Sequence, residues 1–312
     1  MHQETDRSVE LSIIIVNWNT WDLVRQLLAS INSQAPRFRY EVWVVDNAST
    51  QSCPTDLLTS FPQVHFLQNT TNVGFARANN QAIQCCAGQY VLLLNSDTVV
   101  LAGALQILVD AMVALPKAGA VGARLLNQDG SLQASAHPNL TLFREGWRLF
   151  HLDRLLPLSI YRMEDWPLEV AHRTDVLMGA CLLVRKQILD QIGLLDEDYY
   201  IYTEEVDLCY RIQQAGWLLY WVPQAEVIHF GGQSTKQMAE KMFIQLYRSK
   251  VQYFRKTQGR LGAGAYKLIL LGAALLRIMA SPLTALEEAR TRTKHLSLSR
   301  QYMHLLKALP DL

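Results

Sequence analysis

Asp97 is an acidic residue at a place where apolar residues dominate. It follows the run YVLLLNS, whose apolar part is typical of a buried strand. A buried carboxylate is costly unless it contacts a hydrogen-bond donor, a cation or solvent. Asp97 is therefore either a turn residue that caps the following helix or a ligand of a metal ion. The other strand ends of the sequence bear on this choice.

Polar residues follow two further apolar runs in the same way. LSIIIV is followed by Asn17, and YEVWVV is followed by Asp46. A glycine-bearing loop, NVGFARANN (72–80), leads into a helix, and the pair Glu204-Glu205 and then His229 come much later. Mg²⁺ and Mn²⁺ prefer carboxylate oxygens and leave positions open for phosphate oxygens, and Mn²⁺ also accepts an imidazole. Together these residues predict a divalent cation that holds a diphosphate.

The elements that must position these residues alternate between strands and helices. Apolar runs predict strands, and amphipathic runs predict helices, in alternation along the first part of the chain. The strands are predicted at the beginning of 11–19 and over 40–45, 63–68, 90–95 and 118–123, and the helices over 20–31, 75–87 and 101–115. This alternation predicts an α/β fold, a mostly parallel sheet with helices on both faces. Ligands of such sheets bind beyond the carboxyl ends of the strands, where the polar residues lie.

The second half of the chain is less regular. Residues 138–170 mix aromatic residues, arginines and prolines, which is typical of long functional loops, and 175–186 predicts a further strand. In YYIYTEEVDLCYR, Glu204, Glu205 and Asp207 lie in the first turn of a predicted helix, where acidic residues also simply complement the helix dipole.

Beyond the glycines at 231 and 232, an amphipathic helix with a basic face is predicted over 236–257. Residues 261–280 are apolar except for Lys267 and Arg277. We interpret 10–235 as one domain and 236–312 as a C-terminal helical region. That region favours attachment to an anionic membrane surface over spanning, and a packed helix or a dimer contact is the soluble alternative.

Composition excludes some classes of protein. The 312 residues carry a net charge of +1, which argues against nucleic acid as a partner. The five cysteines lack metal-site spacing, and their odd number does not favour a disulfide framework. The first ten residues are polar and contain no apolar signal core, so we expect the active part to be cytoplasmic.

Several segments together resemble a known family. The segments VNWN, DNAS, NVGFARANN, LLLNSDT, GACLLVRK, GLLDEDYYIYTEEVDLCYR and VIHFGGQS, in this order, are similar to family 2 glycosyltransferases of the Rossmann-like GT-A fold. The nearest likeness is to the bacterial rhamnosyltransferase-like branch that builds cell-surface polysaccharides. Several motifs in order are far more specific than any one of them alone.

The resemblance implies a role for each matching residue. It implies that Asp46 contacts the nucleotide base and that Asp97 and His229 bind Mn²⁺ or Mg²⁺. The metal-binding DxD motif falls on Asn95-Ser96-Asp97, so its first Asp is Asn here, which weakens the metal site. The remaining residues implied to bind the donor nucleotide are Asn17, Asn19, Ser49, Asn72, Gly74, Arg77, Asn80, Asn95 and Ser96.

The catalytic pair of the family falls on Glu204-Glu205, and Glu205 is implied to be the general base. This departs from the family pattern, because Asp is usual at the second position, and an extra methylene moves the carboxylate by about 1 Å. An acceptor site is implied at Gly179, Ala180, Asp196 and Asp207, although small residues and helix-start acids also have purely structural uses.

The implied function is inverting transfer of a sugar, with rhamnose suggested by the branch, from a nucleotide-diphosphate donor. The acceptor is a hydroxyl of a glycan or a polyprenyl-linked glycan at the cytoplasmic face of the membrane. A catalytically degenerate sugar-nucleotide- or glycan-binding scaffold is the alternative, and a nucleotidyltransferase is a third. The residues do not identify the nucleotide base or the sugar, and they leave homo-oligomerisation open.

Overall fold

The structure, a computed structural model, describes residues 9–233, 235–280 and 289–312, without the side chains of 235–236, 280 and 289–297. The described chain divides into two compact units. The first contains residues up to 139 together with 162–200 and 204–233, and the second contains 140–161, 201–203 and the residues from 235 onward.

The first unit is built on a mixed sheet flanked by helices, as the alternation predicts. Its strand order is β3-β2-β1-β4-β11-β6-β12-β5, with β7 beside β6, β9 beside β12, and β8 and β10 paired separately. The strands are β1 (Leu11–Asn17), β2 (Tyr40–Asp46), β3 (Val64–Gln68), β4 (Tyr90–Leu94), β5 (Thr98–Val100), β6 (Ala118–Leu126), β7 (Leu132–Gln133), β8 (Ala136–His137), β9 (His172–Thr174), β10 (Val176–Leu177), β11 (Cys181–Arg185) and β12 (Leu218–His229). The helices are α1 (Trp21–Asn32), α2 (Thr55–Ser60), α3 (Phe75–Cys85), α4 (Ala104–Ala114), α6 (Lys186–Ile192) and α7 (Glu204–Gln214).

Parallel pairing brings the polar strand ends to one edge of the sheet. β1 pairs in parallel with both β2 and β4, and the last residue of β1, Asn17, lies opposite the last residue of β2, Asp46. β1 and β4 are fully buried because they are central strands covered on both faces, which explains their continuous apolar sequence. The fold class is thus confirmed. The non-parallel part consists of the antiparallel pairs of β11 with β4 and β6, of β12 with β5 and β9, and of β6 with β7.

Two elements differ from their predictions. The predicted strand 175–186 is two strands, because β10 pairs with β8 outside the main sheet while β11 pairs with β4 inside it. The break falls at 178–180, where the backbone of Met178 bonds to Ser135. The predicted loops of 138–170 contain α5 (Leu142–Leu149), whose first turn is capped by the side chain of Thr141.

The second unit contains α5, α8 (Ala239–Ala280) and α9 (Ala289–Ala308). α8 is two helical segments that meet at Gly259, whose φ of 72° is left-handed and non-helical. By length and composition alone, α8 could cross a membrane, and about a third of its most apolar window is buried (33%).

Glu145 joins α5 to α8 inside the second unit. Its carboxylate accepts hydrogen bonds from Arg148, from Lys250 at 2.9 Å and from the hydroxyl of Tyr266 at 2.8 Å. Burial disfavours its charged form, but the charges of Lys250 and Arg148 lower the pKa of Glu145 to about 2. One face of α8 therefore forms part of a buried ionic cluster.

Candidate functional site

A hydrogen-bonded cluster connects the ends of β1 and β2. The side-chain amide of Asn17 donates to Oδ1 of Asp46 at 3.0 Å and to the hydroxyl of Ser49 at 3.1 Å. Ser49 donates to the same Oδ1 of Asp46 at 2.5 Å, and its backbone N–H donates to Oδ2 at 3.3 Å. Asp46 and Asn17 are buried. This leaves Oδ2 of Asp46 with the greater spare capacity to accept a hydrogen bond from a ligand.

Thr20 extends this cluster to the end of β4. Its hydroxyl donates to Oδ1 of Asn17 at 2.8 Å and lies 3.0 Å from the hydroxyl of Ser96. We call Asn17, Thr20, Asp46, Ser49 and Ser96 the strand-end cluster. It forms a continuous path from Asp46 to the residue before Asp97, so the three polar strand ends of the sequence do converge.

Left-handed backbone borders the strand-end cluster on two sides. Asn19 has φ of 58° and Ala48 has φ of 62°, and such angles are strained for a residue with a side chain. The strain is held by hydrogen bonds, because the N–H of Asn19 donates to Ser49 at 2.8 Å and its side chain accepts from the N–H of Thr50 at 2.7 Å. The loops after β1 and β2 are thus fixed to each other.

Asn47 orders the glycine-bearing loop. Its side chain donates to Oδ1 of Asn72 at 2.9 Å and to the carbonyl of Gly74 at 3.2 Å, and it accepts from the N–H of Val73 at 3.0 Å. Gly74 has φ of 91°, and a Cβ there would stand 2.7 Å from the carbonyl oxygen of Tyr200. Glycine is required at this position, and the loop lies against the segment that leads to α7.

Two predicted residues of α3 have partners in the loop that follows α6. Asn80 is buried, and its amide is engaged with the backbone of Leu195 in both directions and with Glu197. Arg77 is exposed and lies 3.6 Å from Glu197. The structure thus gives Asn80 a structural role in holding the 195–197 loop and leaves the Arg77 guanidinium at the surface.

Asp97 and His229 come together although they are 132 positions apart in the sequence. β5 and β12 pair in antiparallel register with Thr98 opposite His229, and this places Oδ1 of Asp97 3.3 Å from Nε2 of His229. Both side chains are buried. Burial disfavours the charged form of Asp97, but its hydrogen bond with His229, the charge of His229 and the N–H of Gln233 lower the pKa of Asp97.

Gln133 fixes the orientation of this imidazole. The amide nitrogen of Gln133 donates to Asn127 at 3.0 Å and to the carbonyl of His229 at 3.3 Å. Its oxygen therefore faces Nδ1 of His229 at 2.6 Å, and Nδ1 must carry a proton. In this tautomer the lone pair of Nε2 faces Oδ1 of Asp97, so a cation between the two atoms would be attracted by both.

The Asp97–His229 pair fits a divalent cation. Two adjacent ligands held at about 2.1 Å from an octahedral ion stand about 3.0 Å apart, close to the observed separation. A carboxylate oxygen and an imidazole whose other nitrogen is hydrogen-bonded are suitable for Mn²⁺. Within the described ranges no group of three His, Cys, Asp or Glu side chains is gathered, so the protein would supply a cation held here with these two ligands and leave its other positions to a bound ligand or water.

The acidic pair lies at the first turn of α7. Glu204 is buried, and its Oε2 has no hydrogen-bond partner among the described residues. Burial, together with the charge of Glu205, raises the pKa of Glu204 well above its usual value of 4.5. Glu205 is half-buried as a residue, although Oε2 of its carboxylate is itself buried.

Gly179 and Ala180 connect Glu205 to Asn95 at the end of β4. A Cβ on Gly179 would stand 3.3 Å from Cβ of Glu205, and the carbonyl of Ala180 accepts the N–H of Asn95 at 3.0 Å. The segment 178–180 that interrupts the predicted strand therefore lies between Glu205 and Asn95. Lack of bulk at Gly179 keeps the space beside the Glu205 side chain open.

Asp207 and Asp196 have structural partners. Asp207 accepts from Nε of Arg211 at 2.7 Å, and Arg211 in turn donates to three carbonyls at the end of α6. Asp196 accepts the N–H of Asp198 at 3.0 Å and forms a turn with Tyr199. Each of these hydrogen bonds orders a loop near α7.

Sequence reasoning missed Thr20, Asn47 and Gln133 as site residues. Asn47 belongs to the polar run after β2 and could have been included on that ground. The sequence places Thr20 at the start of a helix, and Gln133 lies in a strand of two residues, so neither residue had a local sequence signal of a binding site.

Comparison with known proteins gives three findings. The model of the family described as "Glycosyl transferase family 2" matches residues 12–193. An N-acetylglucosaminyl-diphospho-decaprenol L-rhamnosyltransferase of Mycobacterium tuberculosis is 33% identical over 241 residues, which cover 72% of this chain and 77% of that protein.

Among solved structures, the Pyrobaculum calidifontis mannosyltransferase PcManGT, in complex with GDP-Man and Mn²⁺, matches with a TM-score of 0.57 at 18% identity. The match covers 97% of this chain and 86% of that one. At this identity the likeness concerns the fold, which is the GT-A fold.

Proposed function

Because the chain belongs to glycosyl transferase family 2, we propose that it transfers a sugar from a nucleotide-diphosphate donor to a hydroxyl of a lipid-linked glycan. The M. tuberculosis relative is an L-rhamnosyltransferase whose name gives N-acetylglucosaminyl-diphospho-decaprenol as acceptor. We therefore propose rhamnose as the first donor sugar to test and a polyprenyl-diphosphate-linked acceptor in cell-surface glycan synthesis. A polyprenyl-linked acceptor is anchored in a membrane, so the enzyme must act at a membrane surface. We propose that this surface is the cytoplasmic face of the membrane.

The observation that carries this proposal is the path from Asp46 to Asp97. A nucleotide diphosphate needs a polar pocket for the nucleoside, a cation for the diphosphate and a short distance between them. The strand-end cluster connects a buried carboxylate, Asp46, to Ser96, and the Asp97–His229 pair follows directly. We assign the nucleoside to Asp46 and its neighbours and the cation, Mn²⁺ or Mg²⁺, to Asp97 and His229.

In the proposed reaction, the acceptor oxygen forms a bond to the anomeric carbon while the bond from that carbon to the diphosphate oxygen breaks. Glu205 takes the proton of the attacking hydroxyl, and the electron pair of the broken bond leaves on the diphosphate. A cation held by Asp97 and His229 would neutralise the negative charge on that leaving group. A single displacement of this kind inverts the anomeric configuration.

Glu204 is proposed to act as a neutral neighbour of the base. Two adjacent ionised carboxylates in a buried first turn would repel each other, and burial together with the charge of Glu205 raises the pKa of Glu204, which favours its neutral form. The open space beside Gly179 is proposed to admit the acceptor hydroxyl next to Glu205.

The test is turnover of purified protein with Mn²⁺, a panel of UDP-, GDP- and dTDP-sugars and a synthetic polyprenyl-diphosphate-linked N-acetylglucosamine. We expect release of a nucleoside diphosphate with one donor and a product whose new linkage has inverted configuration by NMR. Asp97→Ala should abolish metal-dependent nucleotide binding, with Asp190→Ala on α6 as an acid-to-alanine control. Release of pyrophosphate instead would identify a nucleotidyltransferase.

A sugar-nucleotide-binding scaffold is a second candidate, favoured by one observation. Position 205 holds Glu where the resemblance predicts Asp for the base. A scaffold would bind a nucleotide sugar with Mn²⁺ and release no nucleoside diphosphate over hours. The same panel therefore separates the two candidates.

A further inference from the structure

The second half of α8 exposes an apolar stripe along its length. Leu261 is 89% exposed, Leu268 is 69% exposed and Met279 is 75% exposed, and Leu275 and Leu276 are also exposed. These positions recur every one or two turns, so they lie on one side of the helix. Residues on the other side, including Tyr266, Leu270 and Ala273, are fully buried. The stripe is thus separate from the packing face of the helix.

A neighbouring loop extends this stripe within the second unit. The ring of Phe150 lies 3.5 Å from the position of a Cβ on Gly272, and Gly272 lies on the stripe between Leu268 and Leu276. The guanidinium of Arg277 also donates to the carbonyl of Leu149 at 3.2 Å. The loop then exposes four apolar side chains, Leu155, Leu156, Leu158 and Ile160. We call these four residues together with Leu261, Leu268, Leu275, Leu276 and Met279 the apolar face.

The charge along the α8 part of the apolar face has one sign. Residues 260–280 contain three cationic residues, Arg260, Lys267 and Arg277, and no Asp or Glu. Arg260 and Lys267 directly precede Leu261 and Leu268, and the exposed Arg154 precedes Leu155. Apolar side chains bordered by cations are suited to the boundary between anionic headgroups and acyl chains.

We propose that the apolar face docks on the surface of an anionic phospholipid bilayer, with the second half of α8 lying in the membrane plane. This rests on the proposed function, since a lipid-linked acceptor is presented at such a surface. Docking there would bring the enzyme and its acceptor to the same two-dimensional surface.

The buried side of α8 argues against spanning. The hydroxyl of Tyr266 donates to Glu145, which is paired with Lys250 and Arg148. A spanning α8 would carry this ionic cluster into the hydrocarbon core, where charged groups are costly.

The cations argue against a second copy of the chain as the occupant. A two-fold interface brings the same patch of both copies together, so the excess cations bordering the two faces would repel each other. An anionic bilayer surface is attracted by those same cations.

The test is cosedimentation of the full chain with vesicles of phosphatidylcholine alone or with about 30% phosphatidylglycerol. We expect wild type to bind the anionic vesicles about tenfold more tightly than the neutral ones, and less tightly in high salt. The triple variant Leu155→Gln/Leu268→Gln/Leu276→Gln should lose binding about tenfold or more. The matched control Leu58→Gln/Val113→Gln/Leu168→Gln, which changes exposed apolar residues of the first unit, should bind like wild type.

Equal binding by the triple variant and wild type would overturn the proposal, as would absence of wild-type binding to anionic vesicles. A wild-type dimer that the triple variant separates, seen by analytical ultracentrifugation, would overturn it in favour of a subunit interface. Manganese-dependent release of nucleoside diphosphate without vesicles is measured in parallel. Release without vesicle binding refutes the docking alone, and vesicle binding without release supports docking while refuting the proposed function.

Discussion

Gln133 provides a sharp test of the proposed metal site, because it hydrogen-bonds to the proposed ligand His229 and is not itself a proposed ligand. Its oxygen accepts the Nδ1 proton of His229 at 2.6 Å, and two further bonds hold its amide in that orientation. Gln133→Leu removes the acceptor at nearly constant volume. The imidazole loses both its fixed tautomer and the electron donation that makes Nε2 a better ligand.

Loss of such a partner typically lowers metal affinity 10- to 100-fold, which corresponds to about 1.4 to 2.7 kcal/mol. Gln133 is half-buried, so water can replace part of the lost acceptor, and we expect the lower part of this range. Gln133→Glu keeps an acceptor for Nδ1 but loses the two hydrogen bonds that the amide donates, so it should bind Mn²⁺ more tightly than Gln133→Leu.

The assay is titration with Mn²⁺ alone, in which the electron paramagnetic resonance signal of free Mn²⁺ gives the bound fraction. Gln106→Leu on α4 is the matched control, since its amide bonds to Asp110 and to the N–H of Arg37, away from the site. Unchanged affinity in a folded Gln133→Leu protein would refute the reasoning. An equal loss in Gln133→Glu would do the same, because it would show that only packing matters.

Three further predictions concern carboxylates. Glu205→Gln should leave donor binding intact and lower kcat about 10²- to 10⁴-fold, as measured by single-turnover and binding assays; near-normal turnover would contradict the base assignment. The pKa of Glu204 is raised in the folded protein, so its contribution to stability is full below pH 4.5 and is lost as the pH rises through the pKa of the folded state. Glu204→Gln should therefore become more stable relative to wild type as the pH rises above 4.5. Thermal melts at a series of pH values measure this difference. Glu145 has a pKa lowered from 4.5 to about 2, so it stabilises above pH 4.5 and this is lost as the pH falls toward 2. Glu145→Gln should lower the free energy of unfolding at pH 7 by about 3 kcal/mol, because Lys250 and Arg148 lose the charge of their shared carboxylate partner, and urea melts should show the difference closing in acid.

The polar strand ends could be predicted because two local signals coincide there. β1, β2 and β4 are apolar runs that stop abruptly at Asn17, Asp46 and Asn95, and parallel pairing makes such stops meet at one edge. Gly74 could also be singled out from the sequence, because its loop leads directly into a helix. The physical need for it, a carbonyl of Tyr200 within 2.7 Å of a Cβ, depends on a segment more than a hundred positions away.

The parts that could not be predicted depend on contacts between distant segments. α5 buries Glu145 at a position where an amphipathic helix normally has an apolar residue, so the hydrophobic pattern does not indicate a helix. The carboxylate is accommodated there by Lys250 and Tyr266, which are distant in the sequence. The split of the 175–186 strand depends on β8, a strand of two residues. Gln133 belongs to a strand equally short, and nothing near it in the sequence points to His229.

The replacement of an acidic residue by Asn95 has a physical consequence for how the proposed site would work. One carboxylate and one neutral imidazole leave a bound divalent cation with a net charge of about +1, whereas a second carboxylate would cancel it. Less negative charge weakens the hold on the cation alone, but it increases the attraction of the occupied site for a diphosphate. The amide nitrogen of Asn95 lies 3.4 Å from Nε2 of His229, so this side chain would border a cation held there without adding charge. Binding of the cation and of the donor should therefore favour each other, because each supplies the charge that the other lacks.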